Sequence, residues 1–240
     1  MPQTNVRMSV PPWTRWVKIL TLAHVVLYIL WLAFGRWQAA PVLAEEIVLL
    51  PKSLWDGHVW QLYTYTFAQM EPQTLLFAGL ALWMFGGDLE SRWGSRRFLT
   101  FYFTVIAIGA LLLCLLALGV PALFGLPVVG LGGFVLGVIV AWGLTYPDRE
   151  ILFMFVLPLK GRHVMLLALG VDALYAFATT PMVFVIHAFC AVVAASLVAL
   201  WRRYGGLFAS VRMLWARLQA KRRRRHLRAV KDEPRGPTFH

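Results

Sequence analysis

The chain has 240 residues, 60% of them hydrophobic, and carries 23 Lys and Arg against 11 Asp and Glu for a formal net charge of +12. A mean hydropathy of +0.67 excludes the one or two soluble domains that this length would ordinarily make. Cys114 and Cys190 both fall inside apolar runs, which excludes a disulfide framework and leaves buried, inert thiols.

Six apolar runs follow one another, at about 17–35, 72–87, 98–119, 127–146, 163–180 and 182–201. A helix needs ~20 residues to cross a hydrocarbon core of ~30 Å, and lipid offers the backbone no other partner. The expected fold is therefore all-α: a polytopic membrane protein with six transmembrane helices. Residues 1–16 form a short cytoplasmic segment, 17–201 the membrane domain and 202–240 a basic cytoplasmic tail.

In chain order, the first run is not a signal peptide, because Trp31, Phe34 and Trp37 crowd the place of a cleavage site. Residues 36–66 read as an external loop whose Trp55, Trp60, Tyr63 and Tyr65 suit the headgroup region. The second run, 72–87, is short. Between the fourth and fifth runs, Ile151 to Leu157 is apolar but too short to span, and is expected along the inner interface. In the fourth run Gly130, Gly133 and Gly137 include a small-xxx-small pair, and Ala188, Ala191 and Ala195 line the sixth, so these two helices are expected to pack closely. Past the last run, Leu207, Val211, Leu214 and Leu218 share one helical stripe, followed by Arg222, Arg223, Arg224 and Arg225. That pattern reads as an interfacial helix on anionic lipid headgroups, with a simple topology anchor or a polyanionic partner as the other readings.

Basic residues set the expected orientation. With an internal amino terminus, Arg7, Arg15, Lys18, Arg92, Arg96, Arg97, Arg149, Lys160, Arg162 and the twelve from Arg202 to Arg235 lie inside, and only Arg36 and Lys52 outside. Both termini are expected in the cytoplasm, in a bacterial inner membrane or its equivalent. The net charge expresses this asymmetry and does not point to a specific nucleic acid. No metal or cofactor is expected, since His24, His58 and His163 share no ligand spacing. Oligomeric state is open.

Several local patterns carry a family resemblance. They are Trp60-Gln61-Leu62-Tyr63-Thr64-Tyr65-Thr66-Phe67, Leu80-Ala81-Leu82-Trp83-Met84-Phe85-Gly86, Leu89-Glu90-Ser91-Arg92-Trp93-Gly94-Ser95, Gly130-Leu131-Gly132-Gly133, and a lone His187 in the last run. In this order, over about residues 58–200, the chain resembles the rhomboid intramembrane serine proteases. The resemblance implies a six-helix rhomboid-like bundle in which Gly132 stands where the family has its serine and His187 where it has its histidine. Thr74 and Ala78 match the oxyanion-donor positions, Gln69 an upstream histidine, and Leu136 the aromatic ring that stacks on the base. Acyl transfer needs a nucleophile, a base within reach and oxyanion donors, and here only His187 remains. The resemblance therefore implies a rhomboid-like pseudoprotease. Such a protein, like the derlins and inactive rhomboids, is expected to bind transmembrane segments of client proteins without cleaving them and to affect their stability or trafficking. The short second run and the interfacial loop are expected to thin the bilayer for such clients. Cleavage through unorthodox chemistry and a structural role in a membrane complex are the alternatives.

Asp172 and His187 lie at similar distances either side of the turn at Thr179-Thr180, hence at similar depth. Ionisable groups within a membrane tend to pair, so the two are expected to hydrogen-bond or share water; Asp172 meeting only backbone or headgroups is the other arrangement. Glu90 and Arg92 are expected to form a network at the turn after the second run.

Overall fold

The computed structural model describes residues 12–35, 46–69, 71–153, 157–178 and 181–204. The chain divides into two units, Met1–Ser196 and Leu197–His240. Of the second, only the last turns of the final helix fall within the described residues. The tail with Arg222, Arg223, Arg224 and Arg225, the turn at 179–180 and residues 36–45 of the expected external loop lie outside them.

Helices occupy every expected place. They are α1 (Arg15–Gly35), α2 (Pro51–Trp55), α3 (Gln61–Thr64), α4 (Pro72–Ala81), α5 (Gly87–Trp93), α6 (Ser95–Gly119), α7 (Gly132–Thr145), α8 (Gly161–Ala178) and α9 (Pro181–Tyr204). Among the described residues two helices are long and apolar enough to cross a membrane, Ser95–Gly119 and Val183–Arg203, each with a mean hydropathy of 2.6, while Gly132–Thr145 is apolar but shorter. Large apolar side chains stand exposed along the helices, Leu76 at 70%, Phe77 at 67% and Leu174 at 71% among them. Surface of that kind suits lipid and not water.

The second run is not short. A π-helical turn, Leu82–Gly86, joins α4 to α5, so helix continues from Pro72 to Trp93. It passes through Asp88 and Glu90, which hydropathy alone would place outside a span. Both carboxylates are buried, and both are paired. Glu90 accepts from the Thr14 hydroxyl, from Trp16 N–H at 3.2 Å and Val17 N–H at 3.1 Å, and from the Ser95 hydroxyl at 2.8 Å. One side chain thus caps the first turn of α1, where amide donors lack intrahelical partners and the helix dipole favours a negative charge. It also ties down the start of α6. Asp88 accepts from the Trp142 indole at 3.0 Å and pairs with Arg149 at 2.8 Å. The expected Glu90–Arg92 network is replaced by this division of labour: Arg92 lies instead over the Tyr146 ring, 5.0 Å from its centroid. Glycines permit the approach, because a Cβ on Gly87 would overlap the Pro12 carbonyl and one on Gly86 would crowd Val17 and Phe98.

Two further segments depart from expectation. Residues 46–69 form a folded cap: Leu49 pairs with Val128 in an isolated antiparallel bridge, the fully buried Gln61 accepts from Leu50 N–H at 3.1 Å, and Tyr65 O accepts from Gly130 N–H at 2.9 Å. Trp55, Trp60 and Tyr63 are exposed, as an interfacial reading requires, but Tyr65 is buried with its hydroxyl toward Ile106 O at 3.5 Å. The apolar stretch after α7 is not a lone segment. It forms an antiparallel hairpin, β1 (Glu150–Phe153) with β2 (Leu157–Lys160), in the register Ile151↔Leu159. The expected all-α class is therefore corrected to a largely helical fold with one two-stranded sheet. Backbone groups of a short apolar run next to a chain reversal find partners in the opposing strand.

At the centre of the first unit, α6, α7 and α9 meet around Cys190. A Cβ on Gly109 would collide with its Sγ, one on Gly133 would stand 3.0 Å from it, and one on Gly137 would lie 3.3 Å from Cys190 O and 3.4 Å from Ala194 Cβ. Gly133 and Gly137 thus bring helix backbones together. Gly130 does not, since it precedes α7 at φ +93° and sits against Gln69.

Glu90→Ala is expected to lower unfolding free energy by about 3 kcal/mol, because several donors lose a charged acceptor together. Glu90→Gln, which keeps one acceptor oxygen, should cost less. Reversible unfolding in mixed micelles measures both, and a Glu90→Ala variant within error of wild type would remove Glu90 from its place in the fold.

Candidate functional site

The starts of α7 and α9 and the middle of α8 bring three expected residues together. His187 Nδ1 lies 2.6 Å from Asp172 Oδ1, with side chains 15% and 16% exposed. A carboxylate at this distance accepts a hydrogen bond from Nδ1–H, which leaves Nε2 outside that bond. That face is turned on Gly132: a Cβ built there would stand 2.8 Å from Nε2 and 2.9 Å from Cε1. The second carboxylate oxygen, Asp172 Oδ2, is buried and has no hydrogen-bond partner among the described residues.

Chemically this is a base oriented by a carboxylate, the arrangement that serves hydrolysis when a nucleophile stands next to the ring. Here the ring fills the space that a side chain at position 132 would occupy. Gly132 is therefore a steric requirement of the His187 position as well as a missing hydroxyl. The expected oxyanion positions add nothing. Thr74 is exposed on the first turn of α4, and Ala78 is buried and carries no polar side-chain atom. Gln69 is buried and donates to Thr66 O at 3.1 Å. Leu136 packs with Val140 and Ala191 against Met165, Leu169 and Ala195, so it belongs to the α7–α8 core. Ala188 is half-buried, and Ala194, absent from the expected small face, is the residue that meets Gly137. Among the described residues no three His, Cys, Asp or Glu side chains converge as a metal site would require.

A second polar cluster escaped the sequence reading. It joins Asp88, Trp142, Tyr146 and Arg149, with the Tyr146 hydroxyl donating to Asp88 O at 3.4 Å and Arg149 standing 5.3 Å from the Tyr146 ring centroid. The sequence signal was charge of opposite sign, Asp88 and Arg149, just past the ends of two apolar runs. The buried His24 was likewise unassigned; it bonds Leu20 O through Nδ1 at 2.8 Å and meets the Tyr102 hydroxyl at 3.4 Å.

Residues 18–202 match the sequence model of a family described as "Eukaryotic integral membrane protein (DUF1751)". The chain belongs to that family. Membership makes it an integral membrane protein and overturns two expectations. The match is to DUF1751 and not to the rhomboid serine proteases, so the rhomboid assignment is withdrawn. The motifs that suggested it have general structural uses here: Glu90 caps helices, Gly133 and Gly137 admit neighbouring helices, and Gly132 makes room for a ring. The bacterial inner membrane is withdrawn too, since the DUF1751 family is described as eukaryotic. Nothing among curated proteins matches the chain.

Gly132→Ala is expected to destabilise the protein by about 1–3 kcal/mol, the usual cost of an added methyl in a packed site. If the clash is with the imidazole, the same change in a His187→Ala background should cost much less, a coupling that a double-mutant cycle reads directly. Additive effects would show that the ring is not what fills the space beside Gly132.

Proposed function

We propose that this DUF1751 protein holds transmembrane segments of other membrane proteins without cutting them, and so influences their stability or trafficking. In this reading the helical segments at 15–35, 72–93, 95–119, 132–145, 161–178 and 181–204 serve as six crossings of the membrane. The observation that carries the reading is Asp172. Its Oδ2 is a buried acceptor with no partner among the described residues, on a helix whose Leu166, Val171, Leu174 and Tyr175 stand exposed. An unsatisfied polar atom at membrane depth is costly, and a hydrogen-bond donor on an arriving helix relieves that cost. Helix association in lipid rests on packing and on such bonds, because apolar burial gives no advantage over lipid tails. The oriented His187 ring favours hydrolysis as a second reading, but Gly132 covers Nε2 and supplies no nucleophile.

The test uses the purified protein in liposomes with a photoreactive residue at Leu174 and a single-span reporter helix. A reporter with one mid-membrane Ser should crosslink about threefold better than an all-Leu version, the preference one intramembrane hydrogen bond supplies. Asp172→Ala should abolish that preference. Equal capture of both reporters by wild type sinks the recognition reading. Reporter cleavage that disappears in His187→Ala would establish the hydrolytic one.

A further inference from the structure

The carboxylates of α5 are taken up by partners other than Arg92, the cation of the same short helix. Glu90 is occupied by four donors, from Thr14, from the first turn of α1 and from the start of α6, and Asp88 by Trp142 and Arg149. Among the described residues no carboxylate pairs with Arg92, which is exposed. Its guanidinium is nevertheless held in place, 5.0 Å from the centroid of Tyr146, a ring tethered through its hydroxyl to Asp88 O. Arg149 stands over the same ring at 5.3 Å. Stacking on an aromatic face leaves the N–H edges of a guanidinium free, and those edges match the oxygens of a phosphate two at a time.

Position narrows the kind of anion. The cluster lies where α5 ends and α6 begins, beside the end of α7 and the start of α8, so it marks the end of several apolar helices. Arg96, exposed at the start of α6, and Arg162, paired with Asp148 at 3.6 Å, sit at that same end. In a membrane protein this is the level of the headgroups, where basic side chains concentrate anionic lipid. We propose that Arg92, displayed on the face of Tyr146, binds the phosphate of an anionic lipid headgroup. The proposal rests on membership of an integral membrane family and is independent of client binding. It concerns the end of α5 and the segment after α7, not the basic tail.

The experiment compares the full chain in phosphatidylcholine nanodiscs with and without phosphatidylserine, reading lipid retention by native mass spectrometry and the thermal midpoint. Wild type should retain phosphatidylserine and gain a higher midpoint with it. Arg92→Gln should weaken retention about tenfold or more, as loss of charge-assisted hydrogen bonds implies. Arg92→Lys, which keeps charge and loses the fork, should fall between. Arg96→Gln should cost only the roughly fivefold that any interfacial charge contributes. The thermal midpoint in phosphatidylcholine alone shows whether each variant is folded. Arg92→Gln and Arg92→Lys carry different risks to folding, and either one, folded, decides the question. Equal losses for Arg92→Gln and Arg96→Gln, or unchanged retention in Arg92→Lys, would overturn a site in favour of diffuse charge. So would full protection of detergent-solubilised wild type by inorganic phosphate, since the ligand would then be the free anion.

Discussion

Burying two carboxylates within one helical turn is the constraint on which the rest of this membrane domain depends. Each unpaired ion would cost several kcal/mol in a medium of low dielectric, so Asp88 and Glu90 dictate where their donors must stand. Glu90 fixes the starts of α1 and α6 relative to the end of α5. Asp88 fixes the last turns of α7 and the loop leading into β1. The π turn at Leu82–Gly86 is the means of aim. It holds an extra residue relative to an α turn, so it rotates everything after it with respect to α4. Helix that leaves Leu76 and Phe77 exposed thereby presents Asp88 and Glu90 to the interior.

How far the sequence made this legible depends on whether the deciding partner was local. Runs of apolar residues located the helices, because in lipid the backbone has no alternative. Their ends were misjudged wherever hydropathy and hydrogen bonding part company. The second run loses its apolar character at Asp88, yet helix persists to Trp93 and ends only at Gly94, whose φ is +82°. The fourth run is apolar from residue 127, yet helix begins at Gly132, because Val128 pairs with Leu49 and Gly130 adopts φ +93°. The hairpin at 150–160 gave an apolar run with no signal of which strand would face it.

The candidate site divides along the same line. Asp172 and His187 fall at equal depth by counting residues from a turn, which is local information. That the ring's other nitrogen abuts Gly132 depends on how α7 packs against α9, and no reading of either helix alone contains it. Gly132 therefore read as a residue that had lost a hydroxyl. Its neighbour supplies a different physical reason, since nothing larger than hydrogen fits without moving His187. The same confusion of packing with chemistry produced the family assignment that DUF1751 membership replaced. Small residues, interfacial aromatics and acidic caps are what any tightly packed helical membrane protein needs.

A buried acid–base pair is poor material for stability. Apolar residues of similar volume in place of a buried ion pair are often neutral or favourable, and Asp172 bears the added burden of one oxygen with no partner among the described residues, a cost of about 1–3 kcal/mol. By contrast Asp88 and Glu90 repay their burial through the helices they join. The hydrogen bond between Asp172 and His187 joins α8 to α9, which already follow one another in the chain. The acidic groups near α5 are thus explained by architecture, and the pair between α8 and α9 is not. A cost without an architectural return is expected where binding or chemistry takes place, which is why the client-binding reading is placed at Asp172 and not at the more heavily bonded carboxylates.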